Sequence, residues 1–275
     1  MKHCLVFNYG SSTLKYAFFK GLRKLRTATL KAKSVEDCKS IVREVLRTAQ
    51  RVDLIAHRVV HGMDMDSPML IDHAGLQKLR ELTLFAPLHN TLALAGVEVC
   101  IQELPHVPQY AIFDTSFFKD LPFTSRAYAL PTELYQKGVK RYGFHGISYS
   151  YLLQETARLM KKRVNTLNLI MLHLGSGASV CAVQKGKPID TSMGMTPLEG
   201  LVMSTRAGDL DPGVVLYLLK MGKTPEEVES FLYKECGIKG LTGDGDMRRL
   251  IEDARKGVRD AEKALSLYVY RIKKY

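Results

Sequence analysis

The sequence lacks the cysteine patterns that mark disulfide-rich or zinc-binding domains. Its five cysteines are an odd number, they are widely scattered, and no CxxC pair occurs. Neither a disulfide framework nor a zinc ribbon is therefore indicated. Cys4, Cys100 and Cys181 lie in apolar surroundings and are interpreted as small buried hydrophobic residues. This cysteine usage fits a reducing compartment, so we expect a cytoplasmic protein.

Long apolar runs and nucleic-acid-binding motifs are also missing. No apolar run reaches membrane-spanning length, and the first residues predict a strand rather than a secretory leader. The net charge of +12 can indicate a nucleic acid partner. However, the basic residues are dispersed, without an RNP-like aromatic pattern or zinc-finger spacing. We expect neither nucleic acid nor membrane as a partner; an anionic small substrate or a solvated basic surface explains the charge.

Two similar segments suggest a duplicated α/β fold. At 5–19 and 169–184, an apolar strand, a turn of small residues and a second strand follow one another. Further strands are predicted at 53–60 and 109–113. Helices are predicted at 34–49, where Ser34 and Asp37 form a capping box, at 148–162, where Ser148 is the cap, and at 72–84, 91–100, 225–233 and 244–275. Loops are predicted at 190–194, 204–209 and 237–245. We expect two related domains with a ligand between them.

The residues at these turns and strand ends suit the binding of an anion. Glycine lets a ligand approach the backbone closely, so the turns at 10–13 and 175–179 are either phosphate cradles or ordinary hairpins. Lys15 either neutralises a bound anion or is an exposed strand lysine. Arg58 lies between apolar residues, where an unpaired guanidinium is costly, so it requires a carboxylate, a phosphate or an internal salt bridge.

Three further residues, Arg206, His145 and Asp114, suit phosphoryl chemistry. Arg58, Arg206 and His145 together would suit a planar transferring phosphoryl group. Asp114, at the end of a predicted strand, could hold a metal, accept a proton or cap the next turn. His57 and His61 would be about 13 Å apart along a strand, which is too far to share a zinc ion.

Eight motifs occur together and in order, and the sequence resembles the acetate/propionate/butyrate kinase family. They are NYGSSTLKY, HRVVHG, APLHN, FDTSF, RYGFHGISY, HLGSGASV, DTSMGMTPLEG and TRAGDLDP. The resemblance implies duplicated sugar kinase–Hsp70–actin-like domains, which are ribonuclease H-like, with a cleft between them. It divides the chain into an N-terminal acyl-substrate domain, 1–148, and a C-terminal nucleotide-binding domain, 149–275.

The resemblance further implies reversible phosphoryl transfer between ATP and acetate, giving acetyl phosphate and ADP, with Mg²⁺ or Mn²⁺. Matched residue by residue, the catalytic positions are Asp114 as acid/base and His145 with Arg206 as stabilisers of the transition state. Arg58 matches the substrate-binding arginine and Asn8 the metal-side asparagine. The small pocket for the acyl methyl group matches Val60, Leu88, Phe144 and Pro197.

The nucleotide positions implied by the resemblance are Lys15, a phosphate-binding hairpin and an ADP-contacting loop. The hairpin comprises His173, Leu174, Gly175, Ser176 and Gly177, and the loop comprises Asp246, Met247 and Arg248. The sequence departs from the family pattern at Tyr9, Met63, Phe118, Tyr149 and Ser176. The family pattern also continues past Tyr275, with a loop over the adenosine, a glutamate near Mg²⁺ and a last helix, so the second domain is expected to be incomplete.

Two alternatives to an acetate kinase stay open. The chain could be an inactive or partner-completed fragment that acts as a binding module. It could also be a propionate or butyrate kinase, which differs only in the size of the acyl pocket. If the chain is an active kinase of any of these three types, the resemblance implies a homodimer.

Overall fold

The computed structural model describes residues 1–10, 13–83 and 87–275, with the side chains of residues 87–89 outside that description. Ser11 and Ser12 of the first predicted turn therefore lie outside the described residues. The chain divides into two compact units, Met1–Lys119 and Asp120–Tyr275. The predicted boundary after residue 148 separates an acyl-substrate domain from a nucleotide-binding domain. That assignment of roles stays a prediction.

The first unit is built on one mixed β-sheet with helices. Its strands are β1 (His3–Tyr9), β2 (Thr13–Lys20), β3 (Arg23–Lys31), β4 (Leu54–Val59), β5 (Met69–Leu70) and β6 (Gln109–Phe113), and its helices are α1 (Val35–Arg47), α2 (His73–Thr83) and α3 (Pro87–Glu103). The strand order is β3-β2-β1-β4-β6-β5. Strands β1, β4 and β6 run parallel, so their carboxyl ends lie at one edge of the sheet.

Period-two alternation sorts the residues of this sheet between a buried and a polar face. The buried positions of the three parallel strands are Leu5, Phe7, Tyr9, Ile55, His57, Val59, Gln109, Ala111 and Phe113. Between these positions, Asn8 and Arg58 point to the other face. The functional side chains of this unit therefore stand on a rigid scaffold, and the buried face supplies its core.

In the first unit, the structure confirms the predicted start of α1 and corrects the predicted start of α3. The Ser34 and Asp37 capping box of α1 is formed, with the Asp37 N–H donating to Ser34 Oγ at 3.0 Å and the Ser34 N–H donating to the Asp37 carboxylate at 3.2 Å. The predicted start of a helix at Thr91 is wrong, since α3 already begins at Pro87. Proline suits the first helical position because its φ is preset and its missing N–H needs no partner there. Leu84 and Ala86, at the predicted break, lie outside the described residues.

The second unit, all of whose residues are described, contains a three-stranded antiparallel sheet and eight α-helices. Its strands are β7 (Leu169–Leu174), β8 (Ala178–Gln184) and β9 (Lys187–Thr191), and its helices are α4 (Phe123–Arg126), α5 (Thr132–Gln136), α6 (Gly146–Met160), α7 (Pro212–Lys220), α8 (Pro225–Lys234), α9 (Gly237–Thr242), α10 (Met247–Arg255) and α11 (Arg259–Lys274). The sheet order is β7-β8-β9. This meander repeats the β1-β2-β3 arrangement, so the two similar strand–turn–strand segments are confirmed.

Several predicted elements of the second unit differ from the structure. Strand β9 occupies part of a predicted loop, α9 lies in the predicted loop at 237–245, and α7 was not predicted. The helix predicted at 244–275 is two helices, α10 and α11, because Gly257 adopts a φ of 80° between them. Across residues 1–10, 13–83 and 87–275, the helices are each too short or too polar to span a lipid bilayer.

Candidate functional site

In the first unit, Arg58 lies at the centre of a partly buried polar cluster. Its Nε and Nη2 atoms donate to the two carboxylate oxygens of Asp114 at 3.1 and 2.5 Å, and its Nη1 donates to Asn8 Oδ1 at 2.9 Å. The Asp114 side chain is 2% exposed and that of Arg58 is 24% exposed. Burial lowers the pKa of Arg58, but the charge and hydrogen bonds of Asp114 outweigh it and raise the pKa overall. The guanidinium is therefore a permanent cation that still meets solvent.

Sheet register places a second cation in the same row. Asn8 pairs with Arg58 on one side and with Lys15 on the other. Directly opposed residues project to the same face of a sheet. Lys15 is exposed, so a lysine, an amide and an arginine follow one another across β2, β1 and β4. This row suits an anionic ligand that presents more than one oxygen.

A neutral hydrogen-bonded chain lies on the opposite, buried face of this sheet. Gln109 Oε1 lies 2.9 Å from His57 Nε2 and can only accept, so the proton of the neutral ring is on Nε2. Nδ1 is then the acceptor of a hydrogen bond from Tyr9 Oη, at 2.8 Å. Burial outweighs the hydrogen bond to Gln109 and lowers the pKa of His57 to about 4. The Tyr9 side chain fits because the helix opposite has Gly96, where a Cβ would lie 2.3 Å from Tyr9 Oη.

In the second unit, His145 stands at the start of α6 in a left-handed backbone conformation, with φ 61° and ψ 18°. Non-glycine residues rarely adopt this conformation, and such strain is concentrated at functional positions. The His145 ring stacks on His173, with ring centroids 4.0 Å apart. Its Nδ1 lies 2.8 Å from Ser179 Oγ, which in turn lies 2.6 Å from Tyr149 Oη. The predicted capping role of Ser148 is wrong, since its hydroxyl lies 3.0 Å from His173 Nδ1.

Gly177, in the turn between β7 and β8, brings His145 and Arg206 to one place. A Cβ at Gly177 would lie 3.3 Å from His145 Nε2 and 3.5 Å from Arg206 Nη1. The absence of that carbon leaves space beside one imidazole nitrogen and one guanidinium nitrogen. The predicted hairpin over 173–177 is confirmed by the antiparallel register of β7 and β8. An imidazole and a guanidinium therefore border the turn of this hairpin.

Backbone hydrogen bonds hold Arg206 at this turn. The Ser204 N–H donates to the Ser176 carbonyl at 3.1 Å, which ties the arginine loop to the hairpin. Arg206 Nη1 donates to the Pro197 carbonyl at 3.0 Å, and the guanidinium carbon lies 5.6 Å from the centroid of the Tyr233 ring. Three different segments therefore orient one guanidinium.

The predicted apolar and nucleotide positions fall in both units. In the first unit, Val60 is buried; in the second, Phe144 and Pro197 are buried. The side chain of Leu88 lies outside the described residues. The predicted ADP loop is the N-terminus of α10, where Asp246 Oδ1 accepts from the Arg248 N–H at 2.8 Å and Met247 is the first helical residue.

Hard oxygen ligands for a metal ion are few. Among the residues that the structure describes, no group of three or more His, Cys, Asp or Glu side chains could hold a metal ion. The Asn8 amide oxygen and the Asp114 carboxylate both face Arg58. With so few oxygen ligands, a magnesium ion would have to be held mainly by the phosphates of a bound ligand and by water rather than by an all-protein cage.

The comparisons with known proteins are consistent with one another. The model of the Acetokinase family matches residues 26–275. The chain belongs to this family. It is 38% identical to the acetate kinase of Sulfurovum sp. (strain NBC37-1) over 98% of this chain and 76% of the relative, and 45% identical to the acetate kinase of Helicobacter pylori (strain Shi470) over 84% of this chain and 58% of the relative. The chain thus spans less than two thirds of the second relative's length.

A solved structure shows the same fold for this member of the acetokinase family. The propionate kinase from Francisella tularensis subsp. tularensis SCHU S4 superposes with a TM-score of 0.91 at 33% identity, covering 100% of this chain and 79% of that chain. The predicted α/β, ribonuclease H-like fold class is therefore confirmed. Met63, one of the departures from the family pattern, adopts a φ of 51°, a conformation that glycine reaches without strain.

Ser179 and Tyr149 were not among the predicted site residues, although Ser179 Oγ lies within hydrogen-bonding distance of both His145 and Tyr149. Ser179 lies two residues after Gly177, at the second position of β8, so it stays close to the turn. Tyr149 lies four residues after His145 at the start of a helix, which places them on one face. These two spacings are the features of the sequence from which the proximity of Ser179 and Tyr149 to the site could have been predicted.

Proposed function

We propose that this chain transfers a phosphoryl group reversibly between ATP and acetate, giving acetyl phosphate and ADP. The observation that carries the proposal is the space at Gly177, which His145 Nε2 and Arg206 Nη1 both border. A guanidinium and an imidazole at one point suit the equatorial oxygens of a transferring phosphoryl group. Membership of the acetokinase family supports acetate as the acceptor.

The first unit would hold the carboxylate substrate. Short carboxylic acids are ionised at pH 7, as Asp and Glu side chains are, so the attacking oxygen needs no general base. Arg58 offers a charged fork that still meets solvent, and Asp114 fixes the plane of that fork. We assign Arg58 to substrate binding. Asp114, which family resemblance places at the acid/base position, would act chiefly by orienting Arg58.

The second unit would stabilise the charge that develops during transfer. An acetate oxygen forms a bond to the γ-phosphorus as the bond to the bridging oxygen breaks, and ADP carries away the bonding electrons. Arg206 and His145 would hydrogen-bond the phosphoryl oxygens, while the turn at 173–177 and Lys15 would contact the nucleotide phosphates. Catalysis would rest on positioning and electrostatics, which is sufficient for this chemistry.

Magnesium would enter with the nucleotide. Mg²⁺ would supply charge neutralisation at the phosphates, and Asn8 would contribute an amide oxygen to it or to its water shell. Val60, Leu88, Phe144 and Pro197 would line the space for the acyl methyl group. Asp246, Met247 and Arg248 would contact ADP from the start of α10. We further propose a homodimer in the cytoplasm, as family resemblance and the five unpaired cysteines favour.

The likeness to a propionate kinase favours one alternative, a longer acyl substrate. A coupled assay for ADP with Mg-ATP and acetate, propionate or butyrate tests the proposal and ranks the acyl chains by kcat/KM. We expect acetate turnover that falls steeply in Arg206→Ala. Absence of turnover by the pure, folded protein with all three acids would contradict the enzyme and favour a binding module. Unchanged kcat in Arg206→Ala would contradict the role of that residue.

A further inference from the structure

We propose that Tyr149 is a positioning residue that acts through Ser179 to hold His145 as the neutral tautomer with its proton on Nε2. The inference rests on the proposed function only for its kinetic consequence. Its structural content concerns three side chains in the second unit, and it can be measured without substrate.

The three groups form a continuous chain of short contacts. Tyr149 Oη lies 2.6 Å from Ser179 Oγ, and Ser179 Oγ lies 2.8 Å from His145 Nδ1. Ser179 and Tyr149 are fully buried. In a buried site, such hydroxyl groups exchange hydrogen bonds with each other rather than with water, and the chain is strengthened by the low dielectric.

The count of hydrogens favours one direction along this chain. Each hydroxyl has one proton and can also accept a hydrogen bond. If Tyr149 donates to Ser179 and Ser179 donates to His145 Nδ1, both hydroxyl protons are used within the chain. The Nδ1 atom is then an acceptor, so the proton of the neutral imidazole is on Nε2. Burial raises the pKa of Tyr149 well above its ordinary value, so the phenol keeps its proton.

The charges around the His145 ring favour the same neutral state. His173 on β7 stacks on the ring at 4.0 Å, and Arg206 borders the same Gly177 position as His145 Nε2. A second positive charge between these groups would be repelled by the guanidinium. The hydrogen-bonding groups of the chain itself, Tyr149 on α6 and Ser179 on β8, are neutral. The Nε2–H bond is thereby directed at the Gly177 space, where the phosphoryl group is proposed to bind.

The tautomer of His145 is measurable by long-range ¹H–¹⁵N correlation on protein labelled at histidine, with His145→Gln assigning the signal. We expect the Nε2–H pattern in the unmodified chain. In Tyr149→Phe, Ser179 loses its donor and can accept from Nδ1–H, so we expect a mixture of tautomers. Ser179→Ala should give the same result, and the double variant should add nothing further. Tyr151→Phe, on the same helix but 66% exposed, is the matched control.

The kinetic consequence is a loss in kcat with KM nearly unchanged. One positioning hydrogen bond corresponds to a drop of about three- to tenfold in kcat. If His145 keeps the pure Nε2–H pattern in both Tyr149→Phe and Ser179→Ala, the proposal is overturned, even if activity falls. If Tyr149→Phe does not fold, Ser179→Ala decides alone. If the unmodified chain has no kinase activity, the tautomer shift still supports the relay and only the proposed function fails.

Discussion

Replacing Asp114 by alanine should destabilise the first unit as well as stop the reaction. The side chain is almost fully buried, and both of its oxygens accept hydrogen bonds from Arg58. Removing one partner of a buried ion pair costs about 3–5 kcal/mol, because the remaining charge stays buried without compensation. Arg58 is 24% exposed and keeps its hydrogen bond to Asn8, so we expect the lower end, about 3 kcal/mol.

The magnitude can be compared within a series of variants. Asp114→Asn keeps an oxygen that accepts from Arg58 and should cost about 1–2 kcal/mol. Arg58→Met combined with Asp114→Ala removes both charges and should recover most of the loss. Glu81→Ala breaks an exposed pair with Lys78 in the same unit, with side chains 52% and 43% exposed, and should change the free energy of unfolding by less than about 0.5 kcal/mol.

The assay is urea unfolding followed by circular dichroism, with hydrogen exchange at β4 and β6 to assign the transition to the first unit. For a unit of this size, about 3 kcal/mol corresponds to a fall of roughly 10 °C in Tm. Two results would refute the reasoning: Asp114→Ala unfolding at the same urea concentration as Glu81→Ala, or the double variant being as unstable as Asp114→Ala. The second result would mean that lost packing, not an uncompensated charge, sets the cost.

Three further predictions test separate parts of the molecule. Folding lowers the pKa of His57 from 6.5 to about 4, because the neutral ring is buried. The free energy of unfolding should therefore be highest above pH 6.5 and fall by roughly 3 kcal/mol as the pH is lowered to about 4. Urea melts of His57→Gln should lack this pH dependence. Gly177→Ala, at a position without positive φ, should lower kcat/KM at least about tenfold with little change in Tm; wild-type kinetics would contradict the cradle. Ser34→Ala should cost about 1 kcal/mol in urea melts, and an unchanged midpoint would show that the capping box does not contribute.

Local patterns predicted the parts of the fold that depend on near neighbours. Alternating burial in β1 and β4 and the capping box of α1 follow from residues a few positions apart. The sequence also indicated that Arg58 needs a partner, but not which one. That Asp114 is the partner follows from the strand order β1-β4-β6, which local patterns do not contain.

The site in the second unit depends on contacts between residues that are even farther apart in the sequence. His145 and Arg206 are 61 positions apart in the sequence, and they meet because the Ser204 N–H donates to the Ser176 carbonyl. Ser148 has the residue type of a helix cap, but the helix starts at Gly146 because His145 adopts a left-handed conformation. A conformation that is locally unfavourable cannot be predicted from local propensity, since tertiary contacts impose it.

The contacts of the two cations suggest why this chemistry needs no covalent step from the protein. Arg58 is oriented by a carboxylate and an amide, and Arg206 by a carbonyl oxygen, an aromatic ring and a backbone link between loop and hairpin. Each guanidinium is thus fixed before a ligand arrives, which removes much of the reorganisation that a flexible side chain would require. His145 is fixed in the same way by stacking and by Ser179. If positioning is the source of the rate, substitutions at Ser179 or Gly177 should lower kcat although neither residue has a reactive role.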